Sequence, residues 1–254
     1  MGVNLTIDHG NTRAKIGLWI SGEDIPLSMT AVDRLDVSSI EAILRDVVID
    51  HAIYCSVAGR DVDIIDLLEQ RCGDVIEMTH RTTVPLKVAY STPETLGPDR
   101  LAAAIGARYL MGDDMQDLLV VDLGTAVTYD VVSADQCYLG GNIAPGITMR
   151  LHALNSYTAR LPIVPVNGET PVWGHDTTTA LRSGAVHGVV AEIEYYRQRL
   201  GDGCHVILTG GDAPTVMPLL PSYCQFKADL VSLGLRVILD YNTKITSTDR
   251  LITH

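Results

Sequence analysis

The sequence has little positive charge, and none of it is clustered. Its 19 Lys and Arg residues are scattered among 31 Asp and Glu residues, and the formal net charge is −12. Nucleic acids and anionic membranes are bound by clustered positive charge, so we expect neither as a partner. No apolar run approaches the roughly 18–20 residues of a transmembrane helix. Because the N-terminus also lacks a basic region, we expect no signal peptide.

Cysteine pairs, zinc-binding clusters and the common nucleotide-binding motifs are missing as well. The five cysteines are an odd number without a C-x-x-C pair, which predicts free thiols in a reducing, cytoplasmic compartment. The eight histidines form no H-x-x-x-H or Cys/His cluster, so we expect no zinc site. Neither G-x-x-x-x-G-K-[ST] nor G-x-G-x-x-G occurs, so P-loop and Rossmann sites are unsupported.

What the chain does contain is a polar turn between two apolar strands near its start. Alternating apolar residues on both sides of this turn predict an antiparallel hairpin. A carboxylate at a strand end can hold Mg²⁺ through water molecules, and a glycine permits close backbone approach and a positive φ. Amide, hydroxyl and ammonium donors suit phosphate oxygens. The residues that supply these groups are Asp8, Gly10, Asn11, Thr12 and Lys15.

The same pattern returns nearly half the chain later, where Asp122-Leu123-Gly124-Thr125 lies between two apolar strands. One Asp-x-Gly turn means little, because both residues are common in turns. Two copies in matching context predict two similar α/β halves, each presenting a phosphate-binding hairpin to a shared cleft. Gly112-Asp113-Asp114 interrupts a helix and marks the boundary. We therefore expect domains at residues 1–112 and 113–254.

Strands and helices alternate along both halves, which predicts mixed sheets with helices on both faces. The clearest helices run from Leu101 to Met111, from the Asp176-Thr177-Thr178 cap cluster to Leu200, and from about Asp229 to Tyr241. The polar tail, residues 243–254, is expected to fray.

Two further motifs each have two interpretations. In Gly97-Pro98-Asp99-Arg100, the aspartate either complements a helix dipole or acts as a general base, with the arginine binding an anionic substrate. Thr209-Gly210-Gly211 is either a surface on which a nucleotide base lies against bare backbone or a plain turn between strand and helix. Tyr90 is either a core residue or a substrate contact. The residues alone leave all three open.

Taken in order, these motifs resemble type III pantothenate kinases over roughly residues 5–240. The segments that carry the resemblance are Asp8-His9-Gly10-Asn11-Thr12, Gly97-Pro98-Asp99-Arg100, Asp122-Leu123-Gly124-Thr125-Ala126, Gly140-Gly141, Pro145-Gly146, Asp176-Thr177 and Thr209-Gly210-Gly211. The resemblance implies an α/β fold of two ribonuclease-H-like domains, as in actin-like ATPases. His9 departs from the family, which usually has an aliphatic residue there.

The resemblance also implies an activity, which is transfer of the ATP γ-phosphate to the primary hydroxyl of pantothenate. By position, residues 8–15 and Thr125 are similar to the two phosphate loops, and Asp122 to the ligand of a monovalent cation, K⁺ or NH₄⁺. Asp99 is similar to the proton acceptor. The pantothenate contacts implied are Tyr90, Gly97, Pro98, Asp99, Arg100 and Thr177. Mg²⁺ and a homodimer with substrate near its interface are implied too.

Three alternatives differ in class from a pantothenate kinase. The first is another small-alcohol or sugar kinase of the same superfamily, and the second is a non-catalytic nucleotide-binding regulator. The pair Asp99-Arg100 argues against a regulator, because a pure switch needs no base at an acceptor hydroxyl. The third, an actin-type structural protein, would need polymerising insertions for which 254 residues leave little room.

Overall fold

A computed structural model describes residues 2–252, with side chains described through residue 245. The chain forms two compact units. Unit 1 comprises Met1–Asp113, Gln136–Tyr138 and Asp229–His254, and unit 2 comprises Asp114–Asp135 and Leu139–Ala228. The residues from 229 onward, which the sequence places in the second half, thus belong to unit 1.

The strands and helices follow in chain order. The strands are β1 (Val3–His9), β2 (Ala14–Ile20), β3 (Pro26–Val32), β4 (Ile49–Ser56), β5 (Cys72–Glu77), β6 (Lys87–Val88), β7 (Leu118–Leu123), β8 (Ala126–Ser133), β9 (Cys137–Pro145), β10 (His205–Thr209) and β11 (Cys224–Phe226). The α-helices are α1 (Val37–Leu44), α2 (Val62–Arg71), α3 (Pro98–Met111), α4 (Ile147–Ser156), α5 (Thr177–Leu200), α6 (Ala213–Val216) and α7 (Leu230–Ile252). Short 3₁₀ turns lie at Pro93–Thr95 and Met217–Leu219.

The sheet of unit 1 has the strand order β3-β2-β1-β4-β5. β2 pairs antiparallel with both β1 and β3, whereas β4 pairs parallel with β1 and with β5. The predicted first hairpin is therefore confirmed, and the sheet is mixed. Buried residues of α1 and α2 pack with those of β1, β2 and β4 in one apolar core, so this face of the sheet is covered.

Unit 2 repeats this arrangement. Its strands have the order β9-β8-β7-β10-β11. Counted along the chain within each unit, both sheets therefore place their strands in the order third, second, first, fourth, fifth. β7 pairs antiparallel with β8 and parallel with β10, so the second predicted hairpin is confirmed too. The start of β9 belongs to unit 1, where Cys137 and Tyr138 pair with β6. The internal repeat inferred from the two Asp-x-Gly motifs is thus a repeat of topology.

The helix ends differ from expectation for identifiable reasons. α3 begins at Pro98, three residues before the predicted start, because proline fits the first turn of a helix. Ser38 and Ser39, which the sequence suggests as the cap of α1, lie inside the helix; its cap is Asp36, whose carboxylate accepts from the Ser39 amide at 2.8 Å. The tail predicted to fray is helical through Ile252, and residues 253–254 lie outside the described chain.

α7 belongs to unit 1 because it packs closely on α3. A Cβ at Gly234 would lie 1.8 Å from the Ala102 carbonyl oxygen, so the two backbones meet without a side chain between them. None of the helices in the described part of the chain is long and apolar enough to cross a membrane.

Candidate active site

The first hairpin places its charged residues at the end of the central strand of unit 1. Asp8, partly buried, lies in register with Lys15 on β2 and with Cys55 on β4. The Lys15 ammonium is 3.8 Å from the Asp229 carboxylate, just before α7. Asn11 is exposed at the tip of the turn, as is Thr12, so both donors face solvent where a phosphate could approach.

Gly10 shapes the turn in a way that the sequence did not predict. It is not among the glycines with positive φ, so the turn does not use that conformational freedom of glycine. Its amide donates to the Arg13 carbonyl at 3.1 Å, and a Cβ on Gly10 would lie 3.0 Å from that same oxygen. The glycine therefore serves a tight turn by its lack of a side chain.

The predicted acceptor loop forms the N-terminus of α3. Gly97 is the N-cap and Pro98 the first helical residue, which puts Asp99 in the first turn. The Asp99 Oδ1 accepts from the Arg100 amide at 2.8 Å. A carboxylate that only complements the positive end of the helix could make this contact with a first-turn amide, so the geometry leaves both interpretations of Asp99 in place.

Arg100 and Tyr90 come together in unit 1. The arginine is only 7% exposed, and its guanidinium carbon lies 6.0 Å from the centre of the Tyr90 ring. That ring is in turn 6.2 Å from the ring of Tyr138. The cation is therefore held against an aromatic face, in an orientation fixed by packing.

Cys55 connects the first hairpin to the acceptor loop, which the sequence did not predict. Its thiol is fully buried, and its pKa is raised well above the usual range by burial and then by the charges of Asp8 and Asp99. Both carboxylates thus act on one buried thiol. A thiol that stays protonated adds no third negative charge to theirs. Its position in register with Asp8 follows from the parallel pairing of β1 with β4, which no local pattern reveals.

The second hairpin is built mainly from backbone. Asp122, partly buried, is the next-to-last residue of β7 and lies opposite Thr128 on β8. Thr125 is exposed at the turn, and its carbonyl accepts from the Gly146 amide at 3.1 Å. A Cβ at Gly146 would lie 2.4 Å from the carbonyl oxygens of residues 124 and 125. The Pro145-Gly146 turn therefore supports this loop by direct backbone contact.

The Thr209-Gly210-Gly211 motif packs against the end of β7. Gly210 has φ +92°, and a Cβ there would lie 2.5 Å from the Asp122 Oδ1 and from the Leu123 backbone. The Asp212 amide donates to the Leu123 carbonyl at 2.9 Å. The motif is thus a turn from strand to helix, and it also leaves a bare backbone surface beside the Asp122 carboxylate.

Thr177 is the first residue of α5 and is exposed. The helix is capped by Asp176, whose Oδ1 accepts from the Thr179 amide at 2.7 Å. This hydrogen bond is the main reason why the pKa of Asp176 is lowered. The N-terminal end of a helix favours anions, so Thr177 stands where a substrate carboxylate or hydroxyl could be held.

The described residues contain no group of three His, Cys, Asp or Glu side chains that could hold a metal ion. A lone carboxylate still suits Mg²⁺, which usually keeps several waters and is shared with substrate phosphates. Asp8 fits this pattern. At Asp122 the missing Cβ of Gly210 leaves the carboxylate oxygen bordered by backbone, and oxygen ligands of this kind fit a hard cation.

A model of the type III pantothenate kinase family matches residues 4–199. The type III pantothenate kinase of Phocaeicola vulgatus is 39% identical over 246 residues, which cover 96% of this chain and all of that protein. That of Porphyromonas gingivalis is 38% identical over 248 residues, with 95% of this chain and all of that protein covered. This chain belongs to the type III pantothenate kinase family. The resemblance inferred from the motifs is confirmed.

Solved structures agree on the fold of this family member. A Campylobacter jejuni protein assigned to the Baf family of transcriptional activators has a TM-score of 0.62 at 21% identity, with 94% of this chain and 99% of that chain covered. A glucokinase from an Antarctic psychrotroph has a TM-score of 0.52 at 10% identity, with 95% and 99% covered. At such identities the likeness shows the fold alone. The predicted class, α/β with two mixed sheets as in actin-like ATPases and sugar kinases, is confirmed.

The residues singled out from the sequence divide between the two units. Unit 1 contains Asp8, Lys15, Tyr90 and the Gly97–Arg100 loop, and unit 2 contains Asp122, Gly124, Thr125 and Gly210. Thr177, at the start of α5, also belongs to unit 2. The roles given to these residues remain predictions. Three contributors were missed, namely Cys55, Asp212 and Asp229, because each acts through a contact with residues distant in sequence.

The Gly210 geometry yields a prediction that separates the two glycines of its motif. Gly210→Ala should destabilise the protein by about 1–3 kcal/mol, because it puts a side chain at positive φ and forces the Asp122 carboxylate to move. It should also weaken ATP binding. Gly211→Ala is the matched control, since a Cβ there meets nothing within 4 Å. Urea unfolding and ATP titration measure the two effects; equal behaviour of the variants would contradict the assignment of Gly210 as a support for Asp122.

Proposed function

We propose that this chain phosphorylates pantothenate with ATP, which is the first step toward coenzyme A. The observation that carries the proposal is family membership over nearly the whole chain, with relatives at 38–39% identity that are named for this activity. The two Asp-x-Gly hairpins agree with it, because phosphoryl transfer needs mainly positioning and neutralisation of charge.

We assign the phosphates of ATP to the two hairpins. Asn11, Thr12 and the turn amides would donate hydrogen bonds at the first hairpin, and Lys15 would add a positive charge beside Asp8. Thr125 and its neighbouring amides would do the same at the second. Exposed donors on short turns between paired strands suit this role, since a rigid scaffold holds them in place before the nucleotide arrives.

We assign the acceptor to the loop at the start of α3. Arg100, held against Tyr90, would bind the pantothenate carboxylate, and Thr177 would add a hydrogen bond. Asp99 would accept the proton of the primary hydroxyl as that oxygen attacks the γ-phosphorus. Gly97 and Pro98 fix the backbone from which the carboxylate projects.

Two cations fit the donor sets described. Asp8 would hold Mg²⁺ through water, and Asp122 would hold a monovalent cation, K⁺ or NH₄⁺. When bound, these ions would supply positive charge that offsets the phosphates of ATP. We further propose a cytoplasmic homodimer with the acceptor near its interface. Sedimentation at twice the chain mass of 27.5 kDa is expected; a monomer at assay concentration would contradict this.

The deciding experiment measures ATP consumption over a panel of alcohols, with potassium or with Tris as the counter-cation. Turnover should be highest with pantothenate and should depend on potassium in addition to magnesium. Preference for a sugar or another small alcohol would favour a different kinase of the superfamily. ATP binding without turnover on any alcohol would favour a regulator. Equal turnover in Tris-only buffer would contradict the cation role of Asp122.

A second prediction concerns Asp99 as the general base. Asp99→Asn keeps the shape of the side chain but cannot accept the hydroxyl proton, so kcat should fall by about 10²–10⁴ while ATP binding persists. The matched control is Asp63→Asn, which removes a carboxylate from the same first-turn position of α2. Loss of a helix-end charge costs only about 0.3–1 kcal/mol of stability.

The two variants together decide between the two interpretations of Asp99. Steady-state kinetics and thermal unfolding are measured on both. If Asp99→Asn behaves like Asp63→Asn, with kcat near the wild-type value and a slightly lower Tm, then Asp99 is a capping residue and the base must be sought elsewhere.

A further inference from the structure

A cluster of three polar side chains in unit 2, one buried and two partly buried, contains none of the residues assigned so far. The Tyr129 hydroxyl on β8 donates to the Glu192 Oε2 on α5 at 2.6 Å. The Arg150 guanidinium on α4 donates to the same oxygen, also at 2.6 Å. One carboxylate oxygen thus joins a strand and two helices. Charge-assisted hydrogen bonds of this length are the stronger kind in proteins.

The surroundings hold this cluster in a fixed geometry. The Tyr129 side chain is 1% exposed, and its ring centre lies 4.8 Å from that of Tyr196. Arg150 passes over Gly188 of α5, where a Cβ would lie 3.1 Å from the guanidinium. Burial alone would raise the pKa of Glu192. The hydrogen bonds from Arg150 and Tyr129, together with the positive charge of Arg150, outweigh burial and lower this pKa. Glu192 is therefore ionised at neutral pH.

The cluster reaches the second phosphate loop through Arg150. The Nε of this arginine donates to the Pro145 carbonyl at 2.8 Å, and its amide donates to the Gly146 carbonyl at 2.9 Å. The Gly146 amide then donates to the Thr125 carbonyl at 3.1 Å. Only one turn of backbone separates the guanidinium from the loop that carries Thr125.

We propose that Arg150 and Glu192 are positioning residues that hold the second phosphate loop in its ATP-binding form, which rests on the proposed kinase function. Arg150 fixes the Pro145-Gly146 turn, and Glu192 fixes Arg150. The turn in turn packs on the carbonyl groups of residues 124 and 125. It therefore fixes the orientation of the peptide groups in this loop, including the amides that would donate to phosphate. Donors aimed in advance bind phosphate without reorganisation, so loosening this support should weaken ATP binding.

The proposal predicts an effect on the nucleotide and not on the acceptor. Thr177, the acceptor contact in this unit, is about four helical turns from Glu192, or roughly 22 Å along α5. The capping contacts of Asp176 with Thr179 are separate from the cluster. The KM for ATP should therefore change while the KM for pantothenate does not.

The chain contains a matched control on the same helix. Arg197 of α5 lies over the Tyr223 ring, 4.2 Å from its centre, and the Tyr223 hydroxyl donates to the Glu194 carboxylate. This second cluster has the same three residue types and joins α5 to the segment before β11. No hydrogen bond of the described residues that involves its side chains reaches residues 124–125 or 145–146.

The experiment measures ATP dissociation constants by calorimetry, together with steady-state kinetics, for Arg150→Met, Glu192→Gln, Arg150→Lys and the control Arg197→Met. Arg150→Met should raise both the Kd and the KM for ATP about tenfold, because small misplacement of binding groups is costly. Glu192→Gln should act in the same direction. Arg150→Lys should recover part of the loss. Arg197→Met should stay within about twofold of the wild type at equal or greater loss of Tm.

The outcomes separate this inference from the proposed function. Unchanged ATP binding in Arg150→Met, or equal weakening in Arg197→Met, overturns the positioning role even if the wild type phosphorylates pantothenate. Weakened ATP binding in Arg150→Met alone supports it, whichever alcohol proves to be the acceptor. If Arg150→Met does not fold, Tyr129→Phe takes its place, because it removes one hydrogen bond to Glu192. Its Kd for ATP should then rise, and an unchanged Kd overturns the positioning role.

Discussion

The fold depends on one repeated constraint: a carboxylate stands where a central strand ends between an antiparallel neighbour and a parallel one. Asp8 occupies this position in β1, in register with Lys15 and Cys55. Asp122 occupies it in β7, in register with Thr128 and Thr209. The antiparallel hairpin brings a polar turn to the carboxylate. The parallel strand brings the start of the next helical segment, and the proposed phosphate and cation contacts lie at this strand end.

The two copies of this arrangement differ in how they balance charge. In unit 1 the carboxylate faces an ammonium, which itself lies 3.8 Å from Asp229. In unit 2 the residues in register with Asp122 are neutral, and the local shape comes from glycine backbone at residues 124, 146 and 210. Side chains that carry charge characterise one hairpin, and closely packed backbone characterises the other. The monovalent cation proposed at Asp122 rests on the family resemblance, and this difference between the hairpins agrees with it.

Patterns that are local in sequence predicted most strands and helices, but they could not predict contacts between residues distant in sequence. Both hairpins, α5 and the repeat itself followed from strand alternation, cap residues and spacing. The short strands β6 and β11 have too few residues to show alternation. The assignment of α7 to unit 1 could not be predicted, because close packing of Gly234 on Ala102 is a tertiary contact. At the site, the residue types were predicted, but the contacts of Lys15 with Asp229 and of Cys55 with Asp8 were not.

Long-range contacts also explain why the motifs alone could not identify the residues that support the second hairpin loop. Gly146 is conspicuous in sequence because Pro-Gly is a turn signal, yet its function in the fold depends on the Thr125 carbonyl above it and on Arg150 beside it. Arg150 and Glu192 belong to no motif, and on helices they resemble ordinary surface charges. Only the packing of α4 against α5 turns them into a partly buried ion pair that also holds the buried Tyr129 hydroxyl. The turn at residues 124–125 is therefore supported by α4 and α5, through Arg150 and the Pro145-Gly146 turn, as well as by its own glycine and threonine.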